Sequence, residues 1–157
     1  MEMDRKLIGP CGMYCGLCSS YLAYQHQVPR QRGKFSHCAG CRPRDKHCAW
    51  LKERCELLKD HKVQYCYECP SYPCTQLEHL SARYRTKYGL DFLQNLDLIQ
   101  AQGEEALLHS LNIRFACEHC GSLRSIHSGK CFACDDIKSW KDRGGARRLY
   151  LIVEPQT

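Results

Sequence analysis

The chain has 157 residues and a mass of 18.2 kDa, the size of one domain or of one domain with a small appendage. Its 43% hydrophobic content counts 14 cysteines and 9 tyrosines and so overstates the aliphatic core, in agreement with the mean hydropathy of −0.53, and the fold is expected to need staples beyond apolar burial. The formal charge of +6 does not by itself indicate nucleic acid. Metal ligation turns thiols into thiolates: one four-cysteine zinc site carries about −2 and three carry about −6.

The first ten residues, from Met1 to Pro10, contain no apolar signal-peptide core. No stretch approaches the roughly 18 apolar residues of a membrane helix. The expectation is a cytoplasmic protein with no membrane partner. An even cysteine count permits a disulfide framework. In a reducing compartment, however, the staples are expected to be metal ligands.

In chain order, Cys11-x3-Cys15-x2-Cys18 opens the cysteine-rich part, and Ser19 is placed to cap a helix through Tyr21–Tyr24 that stops near Pro29. Residues 29–46 are polar and basic and read as an exposed loop around Cys38 and Cys41. Residues 49–59, with Trp50, Leu57 and Leu58, are a helical candidate. Residues 75–116 hold no cysteine. Thr75 with Glu78 fits a capping box, and Leu77, Leu80, Tyr84 and Tyr88 share one helical face that Gly89 would end. Asp91 can cap a second helix presenting Phe92, Leu96 and Ile99, stopped by Gly103, and a third is expected over residues 104–111. After Cys134 the chain is charged, and residues 149–153 are its best strand candidate. The resulting expectation is a small metal-stapled α+β fold. Residues 1–76 form a cysteine-rich, irregular metal-binding region, 77–112 a helical spacer packed on it, and 113–157 a zinc ribbon with a basic tail.

The most specific motif is Cys117-x2-Cys120, ten residues, then Cys131-x2-Cys134. Each Cys-x-x-Cys turn aims two sulfurs at one point, and two such turns complete a tetrahedron around a d10 ion. Iron can occupy the same site. The N-terminal pool partitions less clearly. Cys15, Cys18, Cys38 and Cys41 have a nineteen-residue spacer suited to paired turns. Cys66, Cys69 and Cys74 form a second set that either Cys48 or Cys55 could complete, leaving Cys11 and the other of those two over, unless His37, His47 or His61 serves as a ligand in a third local site. His37, His47 and His61 are read as surface residues, since thiols are plentiful.

The string Cys11-Gly12-Met13-Tyr14-Cys15-Gly16-Leu17-Cys18-Ser19-Ser20-Tyr21 resembles the opening of an uncharacterised cysteine-rich prokaryotic domain-of-unknown-function family. Cys38-Ala39-Gly40-Cys41-Arg42 and Cys66-Tyr67-Glu68-Cys69-Pro70-Ser71-Tyr72-Pro73-Cys74 are similar to its later motifs. The spacer and ribbon are similar to its longer members. The interval from Cys55 to Cys66 is longer than the family's pattern. The resemblance implies a metal-binding module, commonly presumed zinc, and brings no activity or substrate.

Three functions compete. The favoured one is a zinc-binding scaffold or interaction module with two to three structural ions and a protein partner. No three-ligand site with a vacant position and a nearby base is visible, so catalysis is not expected. The second is an iron–sulfur or thiol-redox protein using the N-terminal cysteines. The Cys11-x3-Cys15-x2-Cys18 spacing is that of radical enzymes, but the chain lacks the length and alternation of their barrel. Cys11, with Arg5 and Lys6 nearby in sequence, could instead be a reactive thiol. The third is nucleic-acid binding through Arg30, Arg32, Lys34, Arg42, Arg44 and Lys46, and through Lys138, Lys141, Arg143, Arg147 and Arg148, with Phe35 and Trp140 available to stack.

Overall fold

The computed structural model describes residues 2–46 and 51–135. Within them the chain is mostly helical: α1 (Ser19–Gln25), α2 (Cys41–Arg44), α3 (Glu56–Lys59), α4 (Thr75–Tyr88), α5 (Phe92–Gln102) and α6 (Glu104–Phe115). Single 3-10 turns lie at Arg5–Leu7, Cys15–Leu17, Lys52–Arg54 and Cys66–Glu68. Among the described residues, extended pairing amounts to isolated bridges, Ile8 with Tyr14, Gln31 with Phe35 and Ala116 with Leu123. The β part of the expected α+β class is therefore not seen there. The strand candidate at 149–153 and the basic tail lie outside the described residues, as do Cys48, His47 and Trp50.

The helical spacer follows its hydrophobic spacing. In α4, Leu77 and Leu80 are buried and Tyr84 and Tyr88 half-buried, while Arg83, Arg85 and Lys87 face water. Gly89 closes the helix at φ 70°, ψ 19°, a left-handed conformation that suits a residue without Cβ. Thr75 is the first helical residue and not the cap. Cys74 takes the cap position, without a side-chain bond, because the preceding turn already fixes the chain direction there. Likewise Cys18 precedes α1, and Ser19 spends its hydroxyl on Ser125 Oγ at 2.5 Å. The expected helix over 49–59 reduces, among the described residues, to a 3-10 turn and the single helical turn of α3. The 29–46 loop contains a tight turn and α2.

Asp91 caps α5 as expected, accepting the N–H groups of Leu93 at 2.9 Å and Gln94 at 3.2 Å, and it also holds Ser81 Oγ at 3.0 Å and Arg85 Nη1 at 3.3 Å. Burial alone would raise its pKa. The hydrogen bonds from Gln94, Ser81, Arg85 and Leu93 outweigh that and hold it below the ordinary carboxylate value. Because the folded pKa is depressed, this contribution is fully present above the unfolded carboxyl value of about 4 and is lost as pH falls below it. Asp91→Ala is expected to cost about 1 kcal/mol at neutral pH and to flatten the acid limb of stability. Urea unfolding at several pH values checks both.

Helices α5 and α6 join at Gly103 and carry much of the core. Phe92, Leu96, Ile99, Leu107, Leu108, Leu111 and Phe115 are buried together with Leu7, Ile8, Tyr14, Leu17 and Ile126, each large aliphatic or aromatic side chain contributing about 1.5–3 kcal/mol. Helix α6 runs four residues past the expected end because Phe115, one turn beyond Leu111, continues the buried face. This core also seats the first cysteine loop. Asn95 is buried on α5 and donates Nδ2–H to Gly12 O at 2.9 Å. Gly12 has φ 90°, and a Cβ there would lie 2.7 Å from Phe92 O. Glycine is required at that position by both conformation and space. No helix of the described residues is long and apolar enough to cross a membrane.

Candidate metal centre

The ribbon is built from turns at the end of α6. Cys117 N–H bonds Ser122 O at 2.7 Å and Gly121 N–H bonds Cys117 O at 2.8 Å, folding the first Cys-x-x-Cys back on itself. In the second half, Ser125 N–H reaches Lys130 O at 2.9 Å and Gly129 N–H reaches Ser125 O at 2.7 Å. Gly121 and Gly129 have φ of 77° and 71°, which explains glycine at both turns. Asp135 was not singled out from the sequence. It closes the second knuckle by accepting Cys131 N–H on Oδ2 at 2.7 Å while its own N–H donates to Cys131 O at 2.9 Å.

These turns bring the sulfurs of Cys117, Cys120, Cys131 and Cys134 within 4.8 Å of one another. The separations Cys117–Cys134 and Cys120–Cys131 are 4.0 and 3.6 Å. A tetrahedral ion with metal–sulfur bonds of 2.3 Å spaces its ligands about 3.8 Å apart, so the two distances straddle the value a zinc-like ion needs. A disulfide would require about 2 Å, and Cys117, Cys120, Cys131 and Cys134 are not disulfide-bonded. Cys117 and Cys131 are buried, Cys120 and Cys134 exposed. Hydrogen bonds from the Ser122 hydroxyl and N–H, then from Cys134 and Cys131, lower the Cys120 pKa to about 6. The bond to Cys120, followed by burial, pushes Cys134 up to about 12. Burial raises Cys131. One sulfur ionises readily and its neighbours resist, which is the repulsion a divalent cation relieves. A cation there could be held by four thiolates with no open coordination position, which is structural chemistry and not catalysis.

Cys15, Cys18, Cys38 and Cys41 meet around a cavity of about 260 Å³ that Cys11, Tyr84 and Phe92 also line. Cys41 N–H donates to Cys15 Sγ at 3.4 Å, Gly40 N–H to Cys38 Sγ at 3.4 Å and Arg44 Nη1 to Cys38 Sγ at 3.1 Å. The bond with Cys41 and then burial raise the Cys15 pKa; burial raises that of Cys18, against N–H bonds from Tyr21 and Ser20. Cys66, Cys69 and Cys74 share a second cavity, of about 380 Å³, with Cys55. Among the described residues, only the ribbon quartet brings three or more ligand atoms within 4.8 Å of one another; the N-terminal groups are looser.

The histidines have other partners. His37 lies on the 260 Å³ cavity and its Nε2 bonds Val28 O at 2.5 Å. Exposed His61 meets Asp45 Oδ1 at 2.8 Å. Arg5 pairs with Glu105 at 2.5 Å, so it is directed at a carboxylate. In the basic loop, Arg42 donates to Ile8 O at 2.6 Å and Gln64 O at 2.5 Å and stacks over Tyr65. Phe35 packs edge-on against Phe132. Two arginines and the aromatic ring of the first candidate nucleic-acid patch are thus engaged in holding the fold.

His127 was missed by sequence reasoning. Its Nδ1 accepts Ser19 N–H at 3.2 Å, its Nε2 meets Tyr84 OH at 3.3 Å, and its ring packs edge-on against Tyr84 and Tyr88. No local spacing signals this, because the partners lie 43 and 108 residues away.

Residues 7–79 match the model of a protein family described as Protein of unknown function (DUF3795). No curated protein and no solved structure matches the chain.

Proposed function

We propose that this protein is a zinc-binding scaffold or interaction module of the cytoplasm, without catalytic activity. Its ions would be held by Cys117, Cys120, Cys131 and Cys134 in the ribbon and by Cys15, Cys18, Cys38 and Cys41 in the N-terminal half. The observation that carries the reading is the ribbon quartet, whose sulfur separations suit a four-coordinate ion and leave no position for substrate. The partner is proposed to be a protein, because Arg42, Arg44 and Phe35 are already committed to internal contacts.

Anaerobic purification followed by elemental analysis and a visible spectrum tests this reading. The expected result is two or three zinc ions per chain and a colourless protein. Iron with inorganic sulfide and broad visible absorption would overturn it in favour of an iron–sulfur centre at the N-terminal cysteines.

A further inference from the structure

The first and third Cys-x-x-Cys segments of the N-terminal half fold alike. Tyr14-Cys15-Gly16-Leu17-Cys18 and Tyr65-Cys66-Tyr67-Glu68-Cys69 each open on a buried tyrosine and run through a 3-10 turn. In the first, Leu17 N–H bonds Tyr14 O at 3.1 Å and Cys18 N–H bonds Cys15 O at 2.9 Å. In the second, Glu68 N–H bonds Tyr65 O at 3.0 Å and Cys69 N–H bonds Cys66 O at 3.1 Å. The closing cysteines leave the turn with the same backbone, Cys18 at φ −76°, ψ 133° and Cys69 at φ −76°, ψ 135°. The residues between the cysteines differ, yet both segments take one conformation, of the kind that can aim two sulfurs at one point.

The first turn shares its cavity with Cys38 and Cys41. The second shares the 380 Å³ cavity with Cys55 and Cys74, and each of these stands at the head of a helix. Cys55 O accepts Lys59 N–H at 3.0 Å, Cys74 O accepts Glu78 N–H at 3.0 Å, and neither side chain makes a capping bond. Leu58 of α3 and Leu77 of α4 are buried in one core cluster and line this cavity, so apolar packing carries both helix heads to the same place. Around the knuckle, Ser71 N–H donates to Cys69 Sγ at 3.4 Å, as Gly40 N–H does to Cys38 Sγ. Glu56 also lines the cavity, but its carboxylate is paired with Lys59 at 3.1 Å. Cys11 lies on the other cavity. No three of the four sulfurs stand as close together as those of the ribbon, and an ion is expected to draw them inward.

We propose that Cys55, Cys66, Cys69 and Cys74 form a third metal centre, of the closed four-thiolate class, with Cys11 outside it. Four soft donors behind a wall of leucines suit a thiolate-selecting ion. The centre rests on the zinc reading above only for the identity of the resident ion.

Cadmium-113 NMR of the full chain, its zinc exchanged for cadmium, tests the ligand set without a variant, because each ion couples to the β protons of the cysteines that hold it. Three cadmium resonances are expected, one of them correlated with Cys55, Cys66, Cys69 and Cys74. Two resonances, or a third ion correlated with Cys48 or Cys11 in place of Cys55, would overturn the assignment. Native mass spectrometry of the zinc-loaded chain gives a second readout: three ions in the wild type and two in Cys55→Ser. Three ions in Cys55→Ser would overturn it; if that variant misfolds and sheds all metal, the cadmium map decides. Zinc at the ribbon and at Cys15, Cys18, Cys38 and Cys41 alone would remove this centre and leave the zinc reading intact. Iron with sulfide in the protein as purified would remove the zinc reading, and the cadmium map would still decide this ligand set.

Discussion

Replacing Cys120 by serine is expected to release one zinc ion per chain and to unravel residues 117–135, while the N-terminal cysteines keep their metal. Serine is a poor ligand for a soft, thiolate-selecting site, and losing one of the four sulfurs should weaken zinc at the ribbon by about 100-fold or more. Apart from Ser125, Ile126 and His127, which are tied to the N-terminal loop, little else holds the two knuckles in shape. Their backbone is a set of turns and one isolated bridge, with no ladder of strands among the described residues to persist without the metal. Hydrogen exchange across 117–135 with zinc counting checks the result, and simultaneous loss of all metal would show one cooperative unit instead. Acid should act in the same direction. The Cys120 pKa lies well below its ordinary 9.0, at about 6, so its thiolate contributes above that ordinary value and is lost as pH falls through about 6. Because protons compete with the ion for all four thiolates, zinc retention at the ribbon is expected to fall as the pH is lowered, which a chromophoric chelator can follow.

Phe115→Ala is expected to have the largest effect of any single core truncation. The ring is fully buried at the end of α6 in the main core cluster, and the Arg114 guanidinium lies over it at 5.1 Å. Removing a buried phenyl group with incomplete collapse of the site costs about 3–5 kcal/mol. The main-chain bond from Arg124 N–H to Phe115 O, 2.8 Å, does not depend on the side chain. The variant should accordingly lose stability in guanidinium at saturating zinc yet bind zinc at wild-type stoichiometry. A drop in stoichiometry would show that the ring positions the ribbon as well as supporting it.

What sequence disclosed about this molecule was what short spacing encodes. The ribbon's four ligands lie within eighteen residues, and two glycine turns suffice to close them, so their convergence was legible. Asp91 and Gly89 were equally legible, since a cap acts on its own helix. Thr75 misled because its signal is local and the true cap, Cys74, is set by the knuckle before it. The end of α6 was hidden by Ile113, an apolar residue 69% exposed that breaks the periodicity just before Phe115 resumes it. The N-terminal partition was illegible for a different reason. Which cavity each cysteine lines depends on contacts such as the bond between Pro10 and Cys66, across fifty-six residues of chain, and no spacing rule reaches that far.

The bond between Ile126 N–H and Leu17 O, 2.9 Å, together with the Ser19–Ser125 and Ser19–His127 pairs, bears on how this protein can be cut. Four-cysteine ribbons are attractive as detachable cassettes, but this one lends a main-chain donor and a buried isoleucine to the loop that carries Cys15 and Cys18. A fragment ending at Phe115 would leave Leu17 O and the Ser19 hydroxyl seeking water and open the core where Ile126 had been. The family match ends at residue 79; the smallest fragment worth expressing runs well past it, to Asp135.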